Sequence, residues 1–265
     1  MNWLEGLECS MRAGEKRLAV LIDPDDLPPG KAWHDFLERL SASPVTDVLI
    51  GGSLLIHREV QDIMSTLRQR ISKPLVLFPG EPEQVTSGAD ALLFLSLISG
   101  RNPELLVGKH VNAALRIRRM KLEVIPTGYM LIGDGPLTTA AYMSQTLPIP
   151  KNKPAIASAT AAAGELLGLR LMYLDAGSGA RDPIPNNMIA AVREQVRCPI
   201  VVGGGLNDAP SIRAAWCSGA DLVVVGTAIE KRPTDFSWLP DPKIKMSIQA
   251  TPSSDVPPVD TRNSL

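Results

Sequence analysis

The sequence predicts an α/β fold, a single (β/α)8 barrel of the TIM type, and three observations carry that prediction. Short apolar runs recur without polar alternation, as strands buried on both faces do. Helix-length amphipathic segments separate them, and eight such strands can be counted, enough to close a barrel. Three late strands then end in small-residue turns, at Tyr173 to Ala180, at Gly203-Gly204-Gly205 and at Gly226-Thr227, which is where such a barrel places its chemistry. An open doubly wound sheet fits the same alternation and is the main competitor.

The first strand, residues 18–22, stops at Asp23-Pro24-Asp25-Asp26, good turn chemistry. Helical spacing follows over 31–40, where Trp33, Phe36, Leu37 and Leu40 share a face. The second strand, 48–50, meets Gly51-Gly52-Ser53, and 57–70 is helical through Val60, Ile63, Met64 and Leu67. A third strand spans 74–80, but the stretch to Asp90 is too short and proline-marked for a full helix. Residues 91–99 form the fourth strand. Pro103 opens the next helix, for which Leu105, Leu106 and Val111 are the expected apolar anchors. The fifth strand, 122–129, ends irregularly and leads into a long loop, 133–153, with Pro136, Pro148 and Pro150; loops of that length are usually binding loops or lids. Helix 158–169, strand 171–175, helix 185–196, strand 199–202, helix 208–216 and strand 222–225 complete the pattern. The barrel is expected over 1–249, followed by a flexible tail over 250–265 rich in Pro, Ser and Asp.

Composition narrows the function classes. Hydrophobic residues at 45% and charged residues at 21% describe an ordinary globular core, and a net charge of -1 supplies no basic field for nucleic acid. Cys9, Cys198 and Cys217 are odd in number and lack metal-type spacing, which favours a reduced, cytoplasmic setting. No apolar run reaches the roughly 18 residues that span a bilayer. Early acids at Glu5, Glu8 and Glu15 exclude a signal-peptide core. A soluble barrel of this kind can still make peripheral membrane contact through a few exposed apolar side chains.

The glycines after the last two strands, Gly204, Gly205 and Gly226 with Thr227, sit where barrels of this type bind phosphate on backbone amides and helix N-termini. A Walker lysine is missing, as is a dinucleotide fingerprint, so nucleotide hydrolysis and ordinary dinucleotide binding fit poorly. Asp23, Asp25 and Asp26, with the Ser53 hydroxyl on the neighbouring strand end, are candidates for Mg2+, against the plain alternative of a turn. His34, His57 and His110 show no ligand spacing and read as solvated or helix-packing. Ser178, in Gly-Ser-Gly, has no strand-end histidine to activate it.

Taken together, Leu21-Ile22-Asp23-Pro24-Asp25, Gly51-Gly52-Ser53, Pro126-Thr127-Gly128-Tyr129, Tyr173-Leu174-Asp175-Ala176-Gly177-Ser178-Gly179-Ala180, Val202-Gly203-Gly204-Gly205 and Val225-Gly226-Thr227-Ala228-Ile229-Glu230 resemble the geranylgeranylglyceryl phosphate synthase family, in its second group. The resemblance implies a modified TIM barrel whose third helix is missing, in agreement with the short 81–90 segment. It implies Mg2+-dependent transfer of a prenyl group from its diphosphate to the 3-hydroxyl of sn-glycerol 1-phosphate, giving an ether lipid precursor. Asp23 and Ser53 match the family's Mg2+ positions. Tyr173, Leu174, Asp175, Ala176, Gly177, Ser178 and Gly179, with Gly204, Gly205, Gly226 and Thr227, match its glycerol phosphate site, and Asp175 and Tyr173 are the catalytic candidates. A homo-oligomer is implied as well. Two departures stand out: Leu21 occupies the place of a phosphate-binding lysine of the first group, and Asp175 stands where many relatives carry glutamate. On the residues alone, another phosphate-handling barrel, an isomerase or a flavin-phosphate oxidoreductase, and a non-catalytic phosphometabolite-binding barrel stay as alternatives. Leu92, Leu93, Phe94 and Leu97 are candidates for a prenyl groove, with barrel core as the plainer reading.

Overall fold

The computed structural model describes residues 1–135 and 138–243; Pro136 and the 250–265 tail lie outside the described residues. Eight strands close a barrel in sequence order: β1 (Arg17–Ile22), β2 (Asp47–Ile50), β3 (Leu75–Leu77), β4 (Ala91–Leu97), β5 (Glu123–Leu131), β6 (Leu171–Asp175), β7 (Ile200–Gly203) and β8 (Leu222–Val225). Every neighbouring pair is parallel, β1 with β8 included, so the open-sheet alternative falls. A closed ring leaves no strand edge unpaired, and its two faces become two separate cores. Ala19, Leu49, Val76, Ala91, Leu93, Ile125, Leu171, Tyr173, Val201 and Leu222 fill the interior. Val20, Val48, Leu92, Met172, Leu174, Val202 and Val223 pack outward against helices.

The helices are α1 (Trp3–Arg12), α2 (Lys31–Ala42), α3 (Val60–Arg70), α4 (Lys109–Arg119), α5 (Thr139–Ser144), α6 (Pro154–Leu166), α7 (Asn186–Gln195), α8 (Ala209–Cys217) and the single turn α9 (Thr227–Glu230). Between β3 and β4 the chain makes only a 3-10 turn, Pro82–Gln84, so the third helix is missing as expected. Three expectations need correction. The 133–153 stretch is not all loop: Thr138 accepts the Ala141 amide and caps α5 within it. Helix α6 begins at Pro154, four residues before the expected start, because proline's missing amide costs nothing in a first turn. Val111 does not anchor its helix. A π-helical turn, Glu104–Gly108, precedes α4 and shifts the phase of the face, so Ala113 and Ile117 are buried while Val111 is 69% exposed.

Helix α1 was not among the expected elements, although Asn2 and Glu5 form a capping box and Trp3, Leu4 and Leu7 share a face, and it closes the end of the barrel opposite the glycine turns. Trp3, Leu4 and Leu7 join the interior core as its lowest layer. Glu123, at the start of β5, accepts the amides of Trp3 (2.6 Å) and Leu4 (3.3 Å), satisfying two donors that a helix N-terminus leaves free. The indole Nε1 of Trp3 donates to Asp47 at 2.7 Å, and Asp47, fully buried, also accepts from Arg17 and from Thr46 Oγ1. A buried carboxylate that loses a donor bears its desolvation penalty in full. Trp3→Phe keeps the ring and removes that donor, and it should lower unfolding free energy by about 1–3 kcal/mol in urea titrations. An unchanged urea midpoint would mean that α1 is not docked on Asp47.

Candidate active site

A cavity of about 620 Å3 opens at the C-terminal ends of the strands. Its floor is a layer of aromatic rings. Phe78, just past β3, stacks on Tyr173 with centroids 4.8 Å apart, and Tyr129 meets both rings edge-on at 5.8 and 5.6 Å. Asp175 stands at the end of β6 beside this layer. Its Oδ2 accepts the Tyr129 hydroxyl at 2.5 Å and its Oδ1 accepts the Gly177 amide at 2.8 Å. Burial pushes the Asp175 carboxyl up, opposed by those two hydrogen bonds. Burial, with the nearby Asp175 charge, also holds both tyrosines well above the ordinary phenol range, so Tyr129 is a donor at neutral pH.

Tyr173 takes a different position from the one its place in the motif suggests. A β-carbon at Gly203 would lie 2.6 Å from the Tyr173 hydroxyl, so the phenol tip rests over the β7 backbone while Tyr129 engages the acid. Tyr129 is therefore a site residue that the catalytic assignment missed. Its place follows from the parallel register of β5 and β6, which sets Tyr129 opposite Tyr173 and Leu131 opposite Asp175 and is not visible in either strand by itself.

Across the cavity three loops come together. Gly204 has a φ of +81°, and any β-carbon there would meet the Gly177 amide nitrogen at 2.8 Å, so the β7 loop approaches the β6 loop as closely as backbones allow. The Thr227 hydroxyl accepts the Gly179 amide at 3.3 Å and lies 3.4 Å from Ser178 Oγ, tying the β8 loop to the β6 loop. The amides of Gly204, Gly205 and Gly226 find no acceptor among the described residues. They stand ahead of α8 and α9, where helix dipoles add to the same positive potential. Unpaired backbone amides, with the side chains of Arg181 and Lys231, thus line this side of the cavity. Of the residues expected here, Tyr173, Asp175, Gly177, Ser178, Gly179, Gly204, Gly205, Gly226 and Thr227 line the cavity, whereas the side chains of Leu174 and Ala176 turn outward into the helix-facing core.

On the β1–β2 side the wall is acidic. Asp23 and Ser53 line the cavity, and the Asp23 carboxylate lies so close over Gly52 that a β-carbon there would be 2.3 Å from Oδ2. The Asp23 carboxyl is pushed up to about 6, mainly by burial, with Asp26 and Asp25 adding to it against the Asp25 amide bond. Glu230, in α9, is pushed up to about 7 by burial and then by Asp26 and Asp23. Asp25 is engaged elsewhere, since its carboxylate accepts the amides of Ile56, His57 and Arg58 and pins the loop after β2. Among the described residues no group of three or more Asp, Glu, His or Cys side chains is arranged to enclose a metal by itself. A pair such as Asp23 and Ser53 suits instead a hard cation that keeps waters and substrate oxygens in its shell.

From the aromatic floor an apolar trench extends outward between β4 and α4, through the space the missing helix would fill. Val85, Leu92, Phe94, Leu105, Ala113 and Ile117 line it. Leu93 and Leu97 also line the cavity but belong to the interior side of β4. His110 stands edge-on to Phe94 at 4.4 Å with its Nε2 3.3 Å from Ser96 Oγ, a packing role consistent with its expected one.

Known proteins share this chain's sequence pattern and fold. A model of the PcrB family matches residues 11–245. A geranylgeranylglyceryl phosphate synthase of Spirosoma linguale is 48% identical over 221 residues, covering 83% of this chain and 88% of that protein. One from Pyrococcus furiosus is 40% identical over 219 residues, covering 82% and 86%. The crystal structure of (S)-3-O-geranylgeranylglyceryl phosphate synthase from Thermoplasma acidophilum, in complex with sn-glycerol-1-phosphate, superposes with a TM-score of 0.82 at 29% identity, covering 92% of this chain and 97% of that one.

The acidic wall has a consequence for stability. Asp23 and Glu230 hold protons more tightly folded than unfolded, so the folded chain binds more protons between about pH 4 and 7, and stability falls as pH rises through that window. Glu230→Gln cannot ionise. It should match the parent near pH 4 and exceed it by about 1–2 kcal/mol at about pH 8, allowing for partial solvent screening. Urea titrations at both pH values decide, and an equal difference at the two would remove Glu230 from the cluster.

Proposed function

We propose that this chain, which belongs to the PcrB family and with it to the geranylgeranylglyceryl phosphate synthases, transfers a prenyl group from its diphosphate to the 3-hydroxyl of sn-glycerol 1-phosphate. The observation that carries this reading is the continuity of a backbone anion cradle, a buried acid and a long apolar trench in one cavity. An isomerase or a binding module for a small phosphometabolite has no use for the trench.

In this reading the glycerol phosphate head lies on the amides of Gly204, Gly205 and Gly226 with the Thr227 hydroxyl, which brings its 3-hydroxyl toward Asp175. Leu21 lines this side of the cavity where the first group has lysine, a replacement expected of the second group, and the backbone amides are joined on the cavity wall by the side chains of Arg181 and Lys231. The prenyl chain lies in the trench. As the bond between C1 of the prenyl group and the diphosphate oxygen breaks, the allylic carbon becomes cationic and the diphosphate leaves with the bonding electrons. The glycerol oxygen then forms the ether bond to that carbon, and its proton passes to Asp175. Phe78, Tyr129 and Tyr173 present π surface beside that carbon, and such surface stabilises positive charge. Tyr129 orients Asp175, and because burial raises the affinity of that carboxylate for a proton, it serves as a base. Mg2+ would be held by Asp23 and Ser53, and it would supply charge neutralisation for the leaving diphosphate. The crowding of acidic charge around Asp23 is an observation of this chain that fits a cation there.

These roles can be tested separately. Asp175→Asn keeps the shape but accepts no proton, so kcat should fall by about 100-fold or more, and the rise of activity with pH as the acid ionises should vanish. Steady-state kinetics across pH measure both, and near-parental turnover would leave Asp175 an orienting group only. Gly204→Ala should weaken glycerol 1-phosphate binding by at least about tenfold in calorimetric titration, since a β-carbon displaces the loop whose amides hold the phosphate. Unchanged affinity in a variant with parental circular dichroism would take Gly204 out of the cradle.

A further inference from the structure

Helix α4 has two unlike faces. Ala113, Ile117 and the His110 ring look into the trench. On the opposite side Val111 and Leu115 form a ridge, each 69% exposed, and Val107, in the π-helical turn just before α4, is 58% exposed and extends the apolar surface. Three large apolar side chains on a solvent face call for a partner. The charge around them is one-sided. From Arg101 to Lys121 six basic side chains stand against a single acid, Glu104, in a chain whose net charge is -1. Lys109 is tied to Glu81, Arg116 to the Pro82 carbonyl and Arg101 to the Ile98 and Gly100 carbonyls, which leaves Arg118, Arg119 and Lys121 exposed at the end of the ridge. Exposed apolar side chains also rim the mouth of the cavity. Leu54 and Ile56 follow β2, and Tyr142 and Met143 lie on α5 after β5. Since β2, β3, β4 and β5 are neighbours in that order, these two groups bracket the sector in which the trench opens.

We propose that the outer face of α4, together with the rim of the mouth, docks on an anionic lipid surface with the open trench against the bilayer. A basic amphipathic helix with an apolar ridge is the form of an interfacial helix, in which apolar burial and attraction to anionic headgroups add. A second copy of the chain is the rival occupant, and the oligomeric state of the parent and of the ridge variant separates the two. The purpose of the docking rests on the prenyl-transfer reading: a product with one long apolar chain and a phosphate head leaves the trench for a bilayer far more readily than for water. The docking itself is measurable without turnover.

The test is flotation of the full chain with vesicles of phosphatidylcholine alone and with roughly 30% phosphatidylglycerol added, at low salt and at roughly 0.5 M salt. The parent should float with the anionic vesicles and be released by salt. Val111→Ser with Leu115→Ser, and separately Arg118→Gln with Arg119→Gln, should each weaken that association by about tenfold or more. Both variants should keep parental turnover of soluble short-chain substrates, since none of the four residues lines the cavity. A parent that stays with the protein fraction, or variants that float like the parent, would overturn the proposal. So would light scattering that shows a dimer in the parent and a monomer in the Val111→Ser, Leu115→Ser variant, which would assign the face to a second copy. Docking by a chain without transferase activity would leave this surface standing and remove the prenyl-transfer reading instead.

Discussion

The hydrogen bond from Tyr129 to Asp175 is the contact on which the site depends, and it exists because β5 and β6 pair in one register. That register puts the two tyrosines side by side and the acid one inward-facing position further along β6. A slip of one residue would turn the phenol to the helix side and leave a buried carboxylate with the Gly177 amide alone. The same tyrosines serve packing. A closed barrel must fill its interior with side chains, and Phe78, Tyr129 and Tyr173 do so at the top layer. They separate the acid from the apolar interior beneath, and at low dielectric the bond that orients the acid is strengthened.

The trench depends on a deletion that the fold tolerates only because the gap is braced. Without a helix after β3, the outer face of β4 would lack cover and α4 would be drawn toward it. Instead the 3-10 turn carries Gln84, whose side chain accepts the Gly80 amide at 2.9 Å and donates to the Gly52 carbonyl at 3.0 Å. Lys109 reaches from the start of α4 to Glu81, and Arg116 to the Pro82 carbonyl. These polar ties hold the walls apart while Val85, Phe94 and Ile117 keep the space between them apolar. A side effect is that α4 is held from one side only, which leaves its opposite ridge to solvent.

An amide-rich side and an acidic side face each other in this cavity, and the chain builds them by different means. The amide side presents the backbone of Gly204, Gly205 and Gly226, with the cations Arg181 and Lys231 also on the cavity wall, and the Lys231 charge acts on Glu230 of the acidic side. The acidic side concentrates Asp23, Asp26 and Glu230 at a cost in stability that rises with pH. Stability given up at a site is a common mark of a surface shaped for a ligand.

How much of this was legible before folding follows from the range of the interactions involved. Strands β1, β2, β6, β7 and β8 were readable to within a residue, because burial on both faces leaves an apolar run that needs no partner to be recognised. Asp175, Asp23 and the glycines after β7 and β8 were readable too, since strand ends and turns are local features. Other features depend on distant residues. Helix α1 closes the barrel through Asp47 and Glu123, 44 and 120 positions away from Trp3, and nothing in its own sequence announces them. Val111 has the spacing of an anchor, but a π-helical turn is invisible to a count of 3.6 residues per turn. The parts of Tyr129 and Glu230 were decided by tertiary structure alone: one is set by strand register, the other by where β8 closes against β1. The amino-acid pattern determined the barrel, the strand ends at which its cavity opens and the acid that closes β6 by local burial and turn preference. Which side chain touches that acid, which carboxylates repel one another and where α1 docks were settled only when chain closure brought distant residues together, 46 positions apart for Tyr129 and Asp175 and 120 apart for Trp3 and Glu123.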